Sequence, residues 1–260
     1  MKISFVIPAH NEASCISDCL GSVLREIKAS GGNAEIVVVN NASTDATARI
    51  ASGFRGVKVV DEPRKGLTIA RQRGYLESSG DIIAAIDADT LLTRGWIRTV
   101  QREFAARKRL VCLSGPYIYH DLSPLTRIAA VAWYIVALVI YGFVNQYVLH
   151  SGAMLQGGNY AVRRSALERI GGYNTAIAFH GEDTVTAFRL MRVGVVKFSF
   201  RLPIFTSGRR LRKEGVLRTA WTSALNSIFL APTSMCAIDQ SRNREADCAD
   251  EDFQPLGPMQ

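Results

Sequence analysis

The sequence predicts an α/β protein with a mostly parallel sheet covered by helices, and three observations carry that expectation. Apolar runs rich in Val and Ile recur at 3–7, 35–39, 57–60 and 81–86, with the length and composition of buried strands. Between them lie segments whose apolar residues repeat at helical spacing. The connections are short, and a β-α-β-α-β-α-β order then calls for parallel pairing through right-handed crossovers.

The first strand is expected to end at Pro8, before a helix that starts at Asn11 and Glu12 and buries Ile16, Leu20, Val23, Leu24 and Ile27. After the second strand, Ser43-Thr44-Asp45 opens a helix carrying Ala46, Ala48, Ile50 and Ala51, its oxygens suited to capping. A third helix is expected over 67–76, and the fourth strand runs from Asp81 to Ile86. Residues 96–104 place Ile97, Val100 and Phe104 on one helix face, and 111–114 reads as a strand. Ser123-Pro124 has the form of an N-cap with a first-turn proline. Further on, 160–162 is strand-like, 165–170 is a short helix stopped by Gly171-Gly172, and Glu182-Asp183 opens a helix with Val185, Phe188, Leu190 and Met191. A late strand at 195–200 precedes Thr206-Ser207-Gly208-Arg209-Arg210, and 216–229 is an amphipathic helix containing Trp221. From about residue 239 the chain is polar and acidic, the composition of a disordered tail.

A chain of 260 residues, 48% hydrophobic and 21% charged, supplies one sizeable core or two unequal lobes. Its net charge of +8 is spread along the chain. That suits phosphorylated ligands or an anionic membrane surface, and no nucleic-acid motif accompanies it. Five scattered cysteines point to a reducing cytosol. Cys15 and Cys19 lie one helical turn apart with no nearby partner to complete a metal site. The N-terminal apolar run is too short for a signal peptide.

Ligands on open parallel sheets bind beyond the carboxyl ends of the strands. Four polar clusters fall at that edge: His10-Asn11-Glu12, Asn40-Asn41, residues 61–65, and Asp87-Ala88-Asp89. Carboxylates at the mouth of a buried strand need a partner. A hard divalent cation carrying a ligand's phosphates fits Asp87 and Asp89 best. The competing interpretation is a turn capped by Asp87 with Asp89 solvated.

Six motifs in order carry a resemblance: residues 6–12, 38–45, Lys65-Gly66 through Ala70-Arg71, Asp87-Ala88-Asp89, Gly157-Gly158-Asn159 and Glu182-Asp183. Together, over roughly residues 3–215, they resemble the family 2 glycosyltransferases with the GT-A fold. The resemblance implies transfer of a sugar from a nucleotide diphosphate donor with inversion, aided by Mg²⁺ or Mn²⁺. It implies metal held by Asp89 with Asp87 supporting it or touching ribose, a general base at Asp183, and Glu182 as its orienting or substrate-binding neighbour. Pro8, His10, Glu12 and Arg71 are then expected near the nucleotide, Gly157, Gly158 and Asn159 in a tight loop against donor or acceptor, and Arg209 and Arg210 on the diphosphate. One departure stands out: the family usually carries Asp at one or both positions held here by Asn40 and Asn41. Asn donates as well as accepts, so base preference is expected to differ while binding survives.

These implications divide the chain into a nucleotide-sugar-binding half at 1–115 and an acceptor half at 116–215, followed by a helix at 216–238 and the tail at 239–260. The uncharged stretch 128–149 is long enough to span a bilayer. A crossing there would separate Asp87 and Asp89 from Glu182 and Asp183, and Asn145 and Gln146 fit a span poorly, so a buried or interfacial segment is expected. The expected enzyme adds single sugars, lacking the Gln-x-x-Arg-Trp pattern of processive synthases. Its acceptor is a glycan or a lipid-linked molecule, and its place is peripheral on the cytosolic membrane face. A sugar-1-phosphate nucleotidyltransferase and a catalytically silent nucleotide-sugar-binding scaffold are the rival classes. The first needs a Gly-rich phosphate loop that residues 8–12 do not provide.

Overall fold

The structure, a computed structural model, describes residues 1–122, 155–177 and 181–209, with isolated positions at 126, 128, 129, 132 and 135. Most of the apolar stretch, Arg210, the expected 216–238 helix and the tail lie outside the described residues. Strand β1 (Ile3–Ala9) pairs parallel with β2 (Ala34–Asn41) on one side and β4 (Ile82–Ile86) on the other, and β3 (Val57–Glu62) pairs parallel with β2. Beyond β4 comes β8 (Asn159–Arg163), antiparallel both to β4 and to β6 (Leu110–Ser114), and β9 (Val195–Phe198) runs parallel to β6. The order across this sheet is β3-β2-β1-β4-β8-β6-β9. It is the mostly parallel, helix-covered sheet that the alternation calls for.

Alternation along β1 sets the two faces. Ile3, Phe5 and Ile7 pack with helix α1 (Ile16–Ser30) through Ile16, Leu20 and Val23, and with α4 (Trp96–Ala106) through Trp96, Ile97 and Val100. Val6 points the other way, into a core shared with Tyr75 of α3 (Leu67–Glu77), Leu167 of α5 (Arg164–Arg169) and Leu190 of α6 (Glu182–Met191). Each such side chain contributes about 1.5–3 kcal/mol when fully buried. That is enough to hold α1, which has no side-chain cap of its own at Cys15. Helix α4 is capped from across the core: the buried Glu26 of α1 accepts the Gly95 N–H and the Ile97 N–H, each at 3.1 Å. The carboxylate satisfies orphan donors and faces the positive end of the helix dipole.

Several boundaries differ from the expectation. Strand β1 continues through Pro8 to Ala9. At that level β1 pairs only with β2, because its ladder with β4 ends at Val6 opposite Ala85. The missing proline N–H therefore costs no bond on the β4 side. Helix α1 starts at Ile16, since residues 10–15 form a turn closed by the Cys15 and Ile16 N–H groups on the Glu12 carbonyl. Helix α2 (Thr47–Ser52) starts later than Ser43, while Asp45 accepts from the N–H groups of Thr47 and Ala13. A second sheet escapes the sequence altogether: β5 (Thr90–Leu92), β10 (Ile204–Thr206) and β7 (Tyr117–Tyr119), with β10 in the middle. Three-residue strands are too short to show a period.

Two packing details generate predictions. A Cβ on Gly74 of α3 would lie 2.3 Å from Val6 Cγ1 and 3.0 Å from Val39 Cγ2. Gly74→Ala is expected to destabilise the protein by about 1–3 kcal/mol in chemical denaturation, against the helix preference for alanine. Asn41, buried at the end of β2, donates Nδ2 to the carbonyls of Glu62 (3.1 Å) and Arg64 (2.7 Å) and accepts the Gly66 N–H at Oδ1 (2.9 Å). Asn41→Asp sets a carboxylate against two carbonyl oxygens. It is expected to cost roughly 1–3 kcal/mol for each group left unsatisfied, read from the same denaturation curves.

Candidate active site

The parallel register brings the ends of β1, β2, β3 and β4 to one edge, where all four polar clusters meet. Pro8, Ala9, His10 and Glu12 line one wall of a cleft of about 530 Å³. Asn41 and residues 65–67 line another, and Asp87, Ala88 and Asp89 form its floor. Local geometry at this edge is unusual: Asn11 and Ala42 both take left-handed backbone conformations, with φ of 56° and 51°. Asn11 Oδ1 accepts the Thr44 N–H at 2.8 Å, which ties the turn after β1 to the turn after β2. His10 Nδ1 lies 2.7 Å from the Asn41 carbonyl, so its ring is fixed against β2.

Asp87 follows β4 directly, and its carbonyl accepts the hydroxyl and N–H of Thr90 at 2.6 Å and 3.2 Å. That turn directs Asp89 and feeds the chain into β5. The Asp87 side chain meets the Gly157-Gly158 loop so closely that a Cβ on Gly158 would stand 2.1 Å from Oδ2. Glycine is required there by contact with a carboxylate rather than by backbone sign. Tyr117 accepts the Gly158 N–H at 2.7 Å, and burial, with the Asp87 charge adding to it, keeps the phenol well above its ordinary pKa. It therefore stays a neutral hydroxyl.

Beneath the cleft lies Arg71, 2% exposed. Its Nη2 donates to the Gly157 carbonyl at 2.7 Å and approaches Asp87 Oδ1 at 3.4 Å, while Nη1 approaches Glu182 Oε1 at 3.4 Å. The guanidinium carbon stands 5.8 Å from the Tyr160 ring centroid. Burial opposes its charge, but Tyr160, Asp87 and Glu182 together hold its pKa above the ordinary guanidinium value. Asp87 is pushed up to about 6, by burial first and then by Asp89 and Glu182 against the pull of Arg71. At the start of α6, burial and the neighbouring Glu182 charge raise the Asp183 carboxyl as well, partly offset by the Thr184 N–H on its Oδ1 at 2.8 Å.

Arg209 closes the cleft from the third side. Its Nη2 donates to both Glu12 oxygens at 2.8 and 2.9 Å and to Asp89 Oδ2 at 3.1 Å. The small sheet explains the meeting, since Thr206 of β10 pairs with Thr90 of β5 directly after the Asp87–Asp89 turn.

Most of the sequence-selected residues thus converge, though not all in the expected role. Arg71 lies under the cleft, buried, and is not one of its lining residues; it reaches the site through Asp87 and Glu182. Asn159 is fully buried, accepting from Trp96 Nε1 at 3.1 Å and donating to the Leu202 carbonyl at 2.8 Å. It anchors the glycine loop, with both polar atoms of its amide bonded inside the protein. Asn41 spends its amide on residues 62–66, and Asn40 donates to Asp61 Oδ1 at 2.7 Å. Arg210 lies outside the described residues. Tyr117 and Tyr160 were not legible as site residues: Tyr117 sits in a three-residue strand, and Tyr160, next to the Gly157-Gly158-Asn159 motif, is buried in β8.

The donors around the cleft are oxygens. Among the described residues no cluster of three or more His, Cys, Asp or Glu gathers to hold a metal. Asp89 already carries a cationic group on Oδ2, the Arg209 nitrogen. One or two carboxylates plus phosphates and water is the donor set Mg²⁺ or Mn²⁺ takes, so these residues fit such an ion.

Comparison with solved structures returns the same architecture. Glucosyl-3-phosphoglycerate synthase from Mycobacterium tuberculosis, in complex with Mn²⁺, UDP-glucose and phosphoglyceric acid, superposes with a TM-score of 0.59 and 21% identity over 87% of this chain and 79% of that one. The mannosyltransferase PcManGT from Pyrobaculum calidifontis, in complex with GDP-mannose and Mn²⁺, gives 0.60 and 19% over 94% and 80%. In sequence, the poly-beta-1,6-N-acetyl-D-glucosamine synthase of Staphylococcus epidermidis is 27% identical over 195 residues, 72% of this chain, which spans about half the length of that relative (45%). The sequence pattern of Glycosyl transferase family 2 matches residues 4–171, covering β1 through α5, and on that match and this GT-A sheet the chain belongs to the family 2 glycosyltransferases.

Proposed function

We propose that the chain transfers a single sugar, with inversion and with Mg²⁺ or Mn²⁺, from a nucleotide diphosphate donor in the cleft to an acceptor bound beside α6. Residues 1–115 then serve the donor and 116–215 the acceptor. The observation that carries this reading is the buried Arg71, which approaches Asp87 on the donor side and Glu182 on the acceptor side at 3.4 Å each. Two acid groups, 95 residues apart in the chain, belong to one site.

When bound, the metal supplies Lewis-acid neutralisation of the charge that gathers on the leaving diphosphate. Asp89 holds it, with Asp87 in support. Pro8, His10 and Glu12 border the nucleotide, and Gly157 and Gly158 let the backbone come close to Asp87. Asp183 takes the acceptor's hydroxyl proton; its raised pKa suits a general base that must be ionised yet basic. Glu182, held by Arg71, stands beside Asp183 and orients the acceptor. A single addition is favoured by the lack of a Gln-x-x-Arg-Trp sequence in this chain.

A lipid-linked acceptor and a place on the cytosolic membrane face complete the reading. Ile128 and Ile135, seven residues apart at helical positions, are 68% and 52% exposed, and such apolar exposure suits an interface. No helix among the described residues is long and apolar enough to cross a membrane.

Asp89→Ala is expected to abolish nucleoside diphosphate release from a donor panel, while Asp183→Asn loses turnover by about 10²–10⁴-fold with donor affinity retained. Wild-type turnover in both variants would remove the mechanism. Because Asp183 works ionised and its pKa is raised, kcat/KM should fall as pH drops through a limb above the ordinary carboxylate value of about 4. A pH profile reads this directly. On flotation with anionic liposomes the protein is expected to rise with the lipid, and its retention in the aqueous fraction would remove the membrane part.

A further inference from the structure

Three oxygens from two carboxylates share one donor nitrogen at the mouth of the cleft. Arg209 Nη2 stands 2.8 and 2.9 Å from the Glu12 oxygens and 3.1 Å from Asp89 Oδ2. It is used there as a compact positive charge between two acids rather than as a bidentate fork. This is the electrostatic task of a metal ion at the same carboxylate. Like charges at that separation oppose one another, so a cation binding Asp89 must move the guanidinium aside or bind against it.

The surroundings permit that movement. The Arg209 side chain is 44% exposed, whereas Arg71 on the other side of Asp87 is 2% exposed and has no path out. Its backbone, by contrast, is fixed. Asp121 accepts the Ser207 hydroxyl at 2.7 Å and the Gly208 N–H at 2.5 Å, and a Cβ on Gly208 would stand 2.4 Å from Leu122 Cδ2. Ser207 Oγ in turn accepts the Arg209 N–H at 3.2 Å. A pinned backbone with an exposed guanidinium is a short arm pivoting over the cleft. Diphosphate oxygens are an alternative partner for it, within the cleft that Glu12 and Asp89 border.

We propose that Arg209 is a cation gate on Asp89: without donor it competes with the divalent ion for that carboxylate, and the diphosphate draws it away. Metal and nucleotide binding are thereby coupled. Neither binds well alone, and each raises the affinity of the other by the same factor. The gate guards against metal held idly in a donor-free cleft. It rests on the reading of Asp89 as a metal ligand, and the experiment separates the two.

Mn²⁺ binding to the full chain is measured by electron paramagnetic resonance, alone and with UDP or GDP, without turnover. Arg209→Gln is expected to bind Mn²⁺ alone about tenfold more tightly than wild type, and to gain less from either nucleotide. Arg209→Lys, which keeps a charge on the arm, is expected to stay near wild type. Equal donor-free affinities in wild type and Arg209→Gln, or an Arg209→Lys that matches Arg209→Gln, would overturn the gate. Asp89→Ala reports on the underlying reading: if it binds Mn²⁺ as wild type does, the assignment of Asp89 fails, and the gate with it. If Asp89→Ala loses Mn²⁺ while Arg209→Gln is unchanged, only the gate fails.

Discussion

The buried guanidinium of Arg71 is the constraint on which the site depends. Removing such a charge from water costs several kcal/mol, and only close, well-placed partners offset that. Here they come from four parts of the chain: Asp87 after β4, the Gly157 carbonyl before β8, Glu182 at the start of α6, and the Tyr160 ring on β8. Losing either Asp87 or Glu182 removes one of the two carboxylates that offset that charge inside the protein. The fold thereby ties Asp87 and Glu182, from two distant parts of the chain, to one buried cation.

The same ion pair organises what lies around it. Because Asp87 is drawn toward Arg71, it presses on the glycine loop, leaving room for hydrogen only at Gly158. The loop is held from behind by Asn159, whose amide is locked to Trp96 and Leu202, and from the side by the Tyr117 hydroxyl. Tyr117 belongs to β7, which pairs with β10, and β10 pairs with β5 just beyond Asp89. The small sheet thus returns the chain to the Asp87–Asp89 turn and delivers Arg209 there. A ring of short contacts carries position from one acid to the next.

How much of this was legible in the sequence follows from how each feature is encoded. The strands β1 to β4 and their ligand-facing ends are local patterns of apolar residues and polar stops, and they were readable. So was the motif order, because each acid sits at a definite end of an element. The antiparallel insertion of β8 and the three-residue strands are non-local, and a window of residues holds no trace of them. Roles diverged where side-chain direction decides. Arg71, Asn41 and Asn159 each belong to the right motif, yet the backbone turns their polar atoms inward. Burial is set by tertiary packing, which spacing does not express.

The departure at Asn40 and Asn41 takes on a different meaning in this light. Asn41 makes two donor bonds and accepts one, a combination no carboxylate reproduces. Its amide ties the end of β2 to residues 62–66, and that loop lines the cleft beside Lys65 and Gly66. Asn41 therefore fixes the backbone of the cleft wall rather than presenting a charge to the cleft. A carboxylate remains nearby, since Asn40 holds Asp61 at 2.7 Å across β2 and β3. At the end of β2 the side chains are thus neutral, and a carboxylate stands one strand outward, on β3. With Glu12 and Asp89 engaged by Arg209 at the other end, and Asp87 by Arg71 beneath, the three acids that line the cleft all stand in ion pairs.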